Sequence, residues 1–147
     1  MIAIACDHGG FLLKTAVIEY LNSAGVGYKD FGTSGAESCD YPDFAYLVTD
    51  SIQNKKAELG ILICGTGIGM SIAANKARGI RAAVCTDVYM AQMAREHNDA
   101  NVLCLGARVI DTELALKIVK TFLGIKAPDE RQHTARRAKI EKYEKTR

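Results

Sequence analysis

Short apolar runs alternate with amphipathic stretches along the chain from its first residues to about residue 123. Apolar runs of this length, bounded by glycine or polar residues, are typical of strands buried on both faces of a sheet. They predict five strands, at residues 2–6, 28–31, 59–63, 81–85 and 102–105. The stretches between them predict helices at residues 43–52, 71–77, 88–96 and 112–123, and a first helix that ends before Gly25. The apolar spacing of that first helix turns five side chains toward the core, namely Leu12, Leu13, Val17, Ile18 and Leu21.

Strands that alternate with helices at this spacing predict an α/β fold with a doubly wound, five-stranded parallel sheet, three layers and right-handed crossovers. We expect the flavodoxin-like strand order 2-1-3-4-5, within the wider Rossmann-like group. At 147 residues and 48% apolar content, the chain suits one domain, residues 1–147, with enough apolar material for a sizeable core.

The last part of the chain differs in composition from the rest. Ala127-Pro128 ends the alternating pattern, and residues 131–147 are mostly charged with few apolar positions. This composition predicts a C-terminal helical tail that is too polar to pack into the core of its own domain. Two interpretations stand equally: residues 127–147 pack on a partner subunit, or they form a solvated helix.

Composition and charge exclude several functional classes. A formal net charge of +2 and an isoelectric point of about 8.3 are too mild to indicate a nucleic-acid partner. No apolar stretch is long enough to span a membrane and no basic leader precedes the first strand, so we expect a cytoplasmic protein. The five cysteines include no CxxC pair, and the histidines are not spaced with them as ligands, which predicts reduced thiols and no metal.

The glycine-rich stretch at residues 61–76 carries the strongest chemical signal. Cys64 follows an apolar run, and Gly65, Gly67 and Gly69 lead into a predicted helix. Backbone N–H groups turned inward by such a loop favour an anion, and the same field favours a thiolate at Cys64. A tight strand-to-helix turn that needs glycine only for its conformation is an equal interpretation at this point.

Known phosphate loops fit this stretch poorly. The dinucleotide fingerprint has its third glycine where Met70 stands, and the loop of nucleoside triphosphatases has a Gly-Lys pair that is missing here. A cysteine phosphatase needs an arginine that closes the loop, and residues 66–71 contain no basic side chain. Cys64 is therefore better suited to act as a base than as a phosphate nucleophile.

Strands one and three are neighbours in the expected order, so their carboxyl ends meet at one crevice. Asp7 and His8 then lie beside Cys64, Gly65 and Thr66, which brings together a carboxylate, an imidazole, a thiol and a hydroxyl. That set suits proton transfer. The structural alternatives are an N-cap role for Asp7 and a loop hydrogen bond for His8.

His97, Asn98 and Asp99 close the fourth predicted helix. A histidine there has a structural explanation, because it complements the helix dipole, and asparagine favours turns. The segment precedes strand five and so belongs at the amino edge of the sheet, roughly 17 Å from the crevice by the length of a five-residue strand. If His97 is functional, we expect it to reach the crevice of a second subunit.

Four arginines are candidates for binding a phosphate. Arg108 follows Gly106-Ala107 after strand five, and the other three lie in the tail at positions 131, 136 and 137. Each alone has a plain explanation as surface charge. Against a phosphorylated substrate they would act as forked donors.

Taken together, these residues resemble the type B ribose-5-phosphate isomerases, in the wider group that includes allose- and galactose-6-phosphate isomerases. The resemblance runs from Met1 to about Leu123. It is carried by five stretches, namely Cys6-Asp7-His8-Gly9-Gly10, Asp40-Tyr41-Pro42-Asp43, residues 61–76, residues 79–85 and residues 96–102. It implies a Rossmann-like fold, an aldose–ketose isomerase of the pentose phosphate pathway without metal or cofactor, and sites shared between subunits of a homodimer or a dimer of dimers.

The resemblance also implies roles for individual residues. Cys64 is the proton-abstracting base and His97 the acid that opens the sugar ring, with Asp7 and Thr66 as further catalytic groups. The implied substrate-binding positions are Asp7, His8, Gly65, Thr66, Gly67, Ile68, Gly69, Asn98, Arg108, Arg131 and Arg136. The loop amides would stabilise the oxyanion of an enediolate, each by roughly 2.7–4 kcal/mol in the transition state.

The tail departs from the family's pattern. The family has two phosphate-binding arginines four residues apart, with histidine directly after the first. Here Arg131 and Arg136 are five apart, and Gln132 separates Arg131 from His133. This difference bears on substrate length, so an isomerase of a six-carbon sugar phosphate stays open as an alternative. A non-catalytic module that uses the glycine loop only to hold a phosphorylated ligand is the alternative from another class.

Overall fold

Five parallel strands form the central sheet in the computed structural model, which describes residues Met1–Arg147. They are β1 (Ile2–Cys6), β2 (Tyr28–Asp30), β3 (Leu59–Cys64), β4 (Ala82–Val84) and β5 (Val102–Gly106). Every residue of β1 and β5 is buried, as strands covered on both faces require. The five predicted strands are confirmed, with ends that differ by at most one residue.

The strand order is β2-β1-β3-β5-β4, so the expected order 2-1-3-4-5 is wrong in its last two positions. β5 pairs with β3 from Gly60 opposite Val102 to Cys64 opposite Gly106, and β4 forms the edge beyond it. β5 is buried throughout, as an interior strand is, whereas the residues of β4 at the edge are only half-buried. The adjacency of β1 and β3, on which the predicted crevice depends, is confirmed.

Helices cover both faces of the sheet and confirm the three layers. They are α1 (Phe11–Ser23), α2 (Tyr41–Gln53), α3 (Ile68–Ala74), α4 (Val88–Glu96), α5 (Thr112–Gly124) and α6 (Arg131–Glu144). One apolar core lies between the sheet and α1, α4 and α5, and a second lies between the sheet and α2 and α3. Successive strand residues feed the two cores in turn, since Ile63 belongs to the first and Cys64 to the second. None of these helices is both long enough and apolar enough to span a membrane.

Two positions of α1 depart from the predicted periodicity. Leu12 was expected in the core but is 82% exposed, whereas Lys14 is only 2% exposed. The Lys14 ammonium donates to both carboxylate oxygens of Asp30, at 2.8 and 2.9 Å, and to the Thr33 carbonyl, at 2.6 Å. These bonds replace the water that a buried ammonium loses, so a lysine occupies a core position that the pattern assigned to apolar residues.

The helix after the glycine run begins earlier than its sequence indicates. α3 starts at Ile68, not at Ser71, and ends at Ala74. Gly67 precedes it with φ 78°, a left-handed conformation that glycine adopts without steric cost. Gly69 therefore lies inside the helix, and the loop proper is reduced to Gly65, Thr66 and Gly67.

The predicted tail helix is confirmed as α6, which lies against its own chain. Glu144 Oε1 accepts the Gly79 N–H at 3.0 Å, and the Arg137 guanidinium donates to the His97 carbonyl at 2.9 Å. His133 is the buried residue of this helix. Ile140 and Tyr143 stay exposed, so packing of the tail on a partner subunit remains a prediction.

Candidate active site

The carboxyl ends of β1, β3 and β5 lie side by side and form the predicted crevice. Cys6 pairs with Ile63, which brings Asp7 beside Cys64, and Gly106 pairs with Cys64, which brings Arg108 beside the glycine loop. The Arg108 N–H donates to the Gly65 carbonyl at 2.9 Å. Because β5 occupies the place expected for β4, Arg108 reaches this crevice directly from the neighbouring strand.

Cys64 is a buried thiol with a hydrogen-bond donor aimed at it. Its side chain is 5% exposed, and its sulfur accepts the Gly67 N–H at 3.1 Å. The N–H groups of Gly65 and Thr66 donate to no acceptor within the chain. A donor on the sulfur and two free amides beside it favour negative charge at the mouth of this loop.

Three of the other cysteines are held as neutral thiols. Burial raises the pKa of Cys6 to about 11 and that of Cys85 to about 12, and it raises the pKa of Cys104 as well. All five cysteines of the chain are free. Among the four buried thiols, Cys64 is the one that faces the loop amides.

Asp7 and His8 both make the structural contacts that the sequence allowed for. Asp7 Oδ1 accepts the N–H groups of Gly9 and Gly10, at 2.9 and 3.2 Å, and so caps the single 3-10 turn His8–Gly10. The Cys39 N–H donates to His8 Nδ1 at 3.3 Å, which makes Nδ1 an acceptor and leaves the proton of a neutral ring on Nε2. Asp7 Oδ2 and His8 Nε2 have no partner in the chain, so both remain free for a ligand.

Arg108 is a cation without a protein partner. Its guanidinium makes no hydrogen bond or ion pair within the chain, although it lies over two glycines of the crevice. A Cβ atom on Gly65 would stand 2.8 Å from Arg108 Nη1, and one on Gly9 would stand 3.4 Å from Nη2. A side chain at position 65 would force the Arg108 guanidinium to move from this place. An exposed, unpaired guanidinium against free amides is an arrangement that binds phosphate or carboxylate.

Tyr41 packs on the helix that follows the glycine loop, a contact that the sequence did not predict. Its ring covers Gly69 so closely that a Cβ atom there would stand 2.7 Å from the ring carbon that bears the hydroxyl. Thr66 lies on the same loop, and its hydroxyl oxygen accepts the Ile68 N–H at 3.2 Å. Because Gly69 was predicted to lie in the loop before the helix, the sequence carried no signal that a ring packs on this residue.

His97 and Asn98 are not brought to this crevice. The turn that contains them precedes β5, and the Asn101 carbonyl at its end accepts the Gly60 N–H at the start of β3, at 2.8 Å. From there to Cys64 the chain runs the length of β3, about 16 Å by the rise of a strand. The predicted location of His97 at the opposite edge of the sheet is therefore correct.

The amino-edge turn is held in place by ion pairs and by α6. Asp99, at φ 46°, accepts Arg81 at 3.0 Å and Arg95 at 2.9 Å. The ring of His133 stacks on that of His97, with centroids 3.9 Å apart and planes inclined by 13°. This stack could not be predicted from the sequence, because His133 lies in a helix whose other residues are mostly charged.

The tail arginines have different surroundings. Arg131 and Arg136 are exposed and make no hydrogen bond or ion pair within the chain, whereas Arg137 donates to the His97 carbonyl. Five residues apart on a helix, Arg131 and Arg136 point about 140° away from each other around its axis. The two free cations therefore do not share one face of α6. The structure brings neither of them to the crevice of its own chain.

The largest cavity, of about 770 Å³, lies beside the amino-edge turn and not at Cys64. Asn98 and Arg81 line it together with apolar side chains of Ile80, Ile140 and Tyr143. No group of three histidine, cysteine, aspartate or glutamate side chains in the chain is arranged to hold a metal ion.

Comparison with known proteins identifies the family. Residues 2–140 match the family described as ribose/galactose isomerase. Ribose-5-phosphate isomerase B of Escherichia coli is 50% identical over 123 residues, which cover 84% of this chain and 83% of that protein. D-erythrulose-4-phosphate isomerase of Pectobacterium atrosepticum is 47% identical over 123 residues, 83% of this chain and 81% of that protein.

A solved structure agrees with these sequence matches. Clostridium thermocellum ribose-5-phosphate isomerase B superimposes with a TM-score of 0.96 at 51% identity, over 99% of this chain and 97% of that one. The resemblance stated from the sequence is confirmed, and an isomerase is favoured over a non-catalytic binding module. The chain belongs to the ribose/galactose isomerase family.

Proposed function

We propose that this protein interconverts ribose 5-phosphate and ribulose 5-phosphate by proton transfer through an enediolate. The observation that carries the proposal is the thiol of Cys64, which accepts the Gly67 N–H at 3.1 Å beside the free amides of Gly65 and Thr66. A thiolate at this place takes the proton from C2 of the open-chain aldose and returns it to C1. The amides stabilise the negative oxygen that develops between these two steps.

The free polar atoms of the crevice support the same reaction. Asp7 Oδ2, His8 Nε2 and the hydroxyl proton of Thr66 have no partner within the chain, which leaves them to bind the sugar hydroxyls and carbonyl. The unpaired guanidinium of Arg108 supplies a forked donor for the phosphate. Arg131 and Arg136 supply two more cations, at the edge of the chain that carries His97.

The site requires two chains in this proposal. His97 lies about the length of β3 away from Cys64 within one chain, so it reaches the crevice of a second copy. The exposed apolar side chains of Ile68 and Ile72, on the helix that follows the glycine loop, support such a contact. The cavity beside Asn98 offers an apolar surface for them, walled by Ile80 and Ile140. His97 and Asn98 would then face the substrate bound at the partner's Cys64.

Steady-state kinetics on a panel of sugar phosphates tests the reaction and the substrate together. We expect the highest kcat/KM with ribose 5-phosphate, against allose 6-phosphate, galactose 6-phosphate and erythrose 4-phosphate. The four-carbon substrate belongs in the panel because one relative is named for erythrulose 4-phosphate. A preference for a six-carbon or four-carbon substrate would change the proposed substrate but not the proposed proton transfer. Turnover of none of these sugar phosphates would refute the proposal.

Cys64→Ala tests the base. Ribulose 5-phosphate takes up deuterium at C1 from heavy water when the enzyme forms and reprotonates the enediolate. The variant should lose this exchange and keep its fold, because the amides of Gly65 and Thr66 and the Arg108 side chain make no bond to the thiol. Normal exchange in the variant would assign the base to another group, such as Asp7.

Mixing two inactive variants tests the shared site. Cys64→Ala and His97→Asn subunits that pair at random form mixed dimers half of the time, and each mixed dimer holds one intact site. Activity should therefore recover to about a quarter of wild type once subunits exchange. Mass spectrometry of the mixture verifies exchange, and complete exchange without recovery would show that His97 serves its own chain.

A further inference from the structure

The tail helix α6 has one buried side chain, and that side chain contacts His97. His133 is 8% exposed, whereas the residues around it on α6 are exposed. Its ring lies parallel to that of His97, with centroids 3.9 Å apart. A buried residue in so polar a helix marks the contact that fixes the helix to the domain.

The same face of α6 also holds the backbone of His97. Arg137 follows His133 by four residues, which places both on one side of the helix. Its guanidinium donates to the His97 carbonyl at 2.9 Å and to the Thr134 hydroxyl at 3.1 Å. Glu130 Oε2 lies 3.6 Å from His133 Nε2, at the edge of the stacked ring.

The turn that carries His97 has a separate support. Arg81 Nε donates to the carbonyls of Asn98 and Asp99, at 3.1 and 2.9 Å, and Arg95 donates to the Asp99 carboxylate. None of these bonds involves α6, although Arg81 Nη1 also lies 3.9 Å from Glu141 Oε1 on that helix. Removal of the His133 ring therefore leaves these bonds of the turn in place and uncovers one face of the His97 imidazole.

We infer that His133 is a positioning residue that fixes the ring plane of His97 for proton transfer. Stacking occupies one face of the His97 ring and leaves its edge free, and neither ring nitrogen of His97 has a hydrogen bond within the chain. Because stacking fixes the plane of the His97 ring and no hydrogen bond occupies its nitrogens, a ring nitrogen can point outward in one direction toward a substrate. The inference rests on the proposed function of His97 as the acid that opens the sugar ring.

Two reactions separate this role from a general loss of structure. Isomerisation of ribose 5-phosphate begins from the ring form and needs the acid. Deuterium uptake at C1 of ribulose 5-phosphate does not, because the phosphate on its O5 prevents ring closure. We expect His133→Ala to slow the first reaction by about tenfold to a hundredfold, the effect of a misplaced catalytic group, while the second stays near wild type.

His133→Phe and Lys139→Ala complete the series. Phenylalanine restores a flat ring of similar size, so His133→Phe should recover most of the isomerisation rate. Lys139 is exposed on the same helix and forms none of these contacts, so Lys139→Ala should leave both rates unchanged. Circular dichroism melting of each variant shows whether it is folded at the assay temperature. If His133→Ala does not fold, the isomerisation rate of His133→Phe is compared with that of wild type, and a folded His133→Phe with a rate near wild type supports the inference.

Several results would overturn the inference. They are equal losses in the two reactions, an unchanged isomerisation rate in His133→Ala, or a folded His133→Phe that is as slow as His133→Ala. His97→Asn identifies which premise fails. If that variant loses both reactions equally, His97 is not the ring-opening acid. If it loses isomerisation selectively and His133→Ala does not, only the role of His133 fails.

Discussion

Gly106→Ala tests whether the shape of the loop beside Cys64 sets the rate. Gly106 is the last residue of β5 and does not line the crevice with a side chain. A Cβ atom on it would stand 2.6 Å from the carbonyl carbon and oxygen of Thr66, where ordinary contact begins at 3.4 Å. Thr66 and Gly106 must therefore separate by about 0.8 Å.

The displacement falls on the loop. β5 is tied to β3, because Gly106 pairs with Cys64 and the Ala107 N–H donates to the Cys64 carbonyl at 2.9 Å. Thr66 has no strand-pairing hydrogen bonds of this kind, so it moves together with Gly67, whose N–H contacts the Cys64 sulfur. A shift approaching 1 Å in a group that stabilises the transition state costs about a hundredfold in rate, and overpacking costs about 1–3 kcal/mol of stability.

Initial rates of ribose 5-phosphate isomerisation, measured well below the melting temperature, separate the two effects. Gly27→Ala is the matched control, since no atom lies within 4 Å of a Cβ there and its φ is not positive. We expect Gly27→Ala to behave as wild type and Gly106→Ala to lose about a hundredfold in kcat/KM while folded. A folded Gly106→Ala enzyme within about twofold of wild type would refute the assignment of the loop amides to the transition state.

Two further predictions concern stability. Lys14→Met should lower the free energy of unfolding in urea by about 1–3 kcal/mol, because Asp30 and the Thr33 carbonyl lose their donor. Adding Asp30→Asn to this variant should restore part of the lost stability. An unchanged free energy of unfolding in Lys14→Met would show that the Lys14–Asp30 ion pair contributes nothing. Because the pKa of Cys6 is raised to about 11 and that of Cys85 to about 12, from 9.0, the unfolded thiols lose their protons first as pH rises. The free energy of unfolding is then unaffected by these thiols below about pH 9, and above it each thiol lowers that free energy by up to about 1.4 kcal/mol per pH unit. Urea unfolding at several pH values should show a smaller slope in Cys85→Ala than in wild type.

The sequence predicted elements better than their arrangement. The strands and helices follow from apolar periodicity, which is a local property of the chain. The exchange of β4 and β5 is not local, because both are short apolar strands and the sequence does not state which one is covered on both sides. Lys14 shows the same limit, since its burial depends on Asp30 and Thr33, which α1 meets only after the chain has folded.

Within the site, residues on strand ends were predictable and residues that act through contacts were not. Asp7 and Cys64 lie at the carboxyl ends of β1 and β3, whose adjacency was predicted, whereas Arg108 joins them only because β5 pairs with β3. Tyr41 and His133 are different, because each contributes through its own ring, which covers Gly69 in one case and stacks on His97 in the other. Their neighbours Gly69 and His97 are distant in sequence, and only the packing of α2 on α3 and of α6 on the amino edge joins them.

The two halves of the proposed site lie at opposite ends of the same strand pair. Cys64 and Arg108 stand at the carboxyl ends of β3 and β5, and the turn with His97 leads into the amino end of β5. A buried sheet cannot bend to bring its own ends together, so in the proposed function one chain supplies two half-sites that meet only between chains. Two copies related by a two-fold axis pair each half-site with its complement and leave none unused, whereas an open head-to-tail assembly would leave one at each end. A closed dimer with two sites therefore meets the proposal best, and separation of its chains would remove both sites at once.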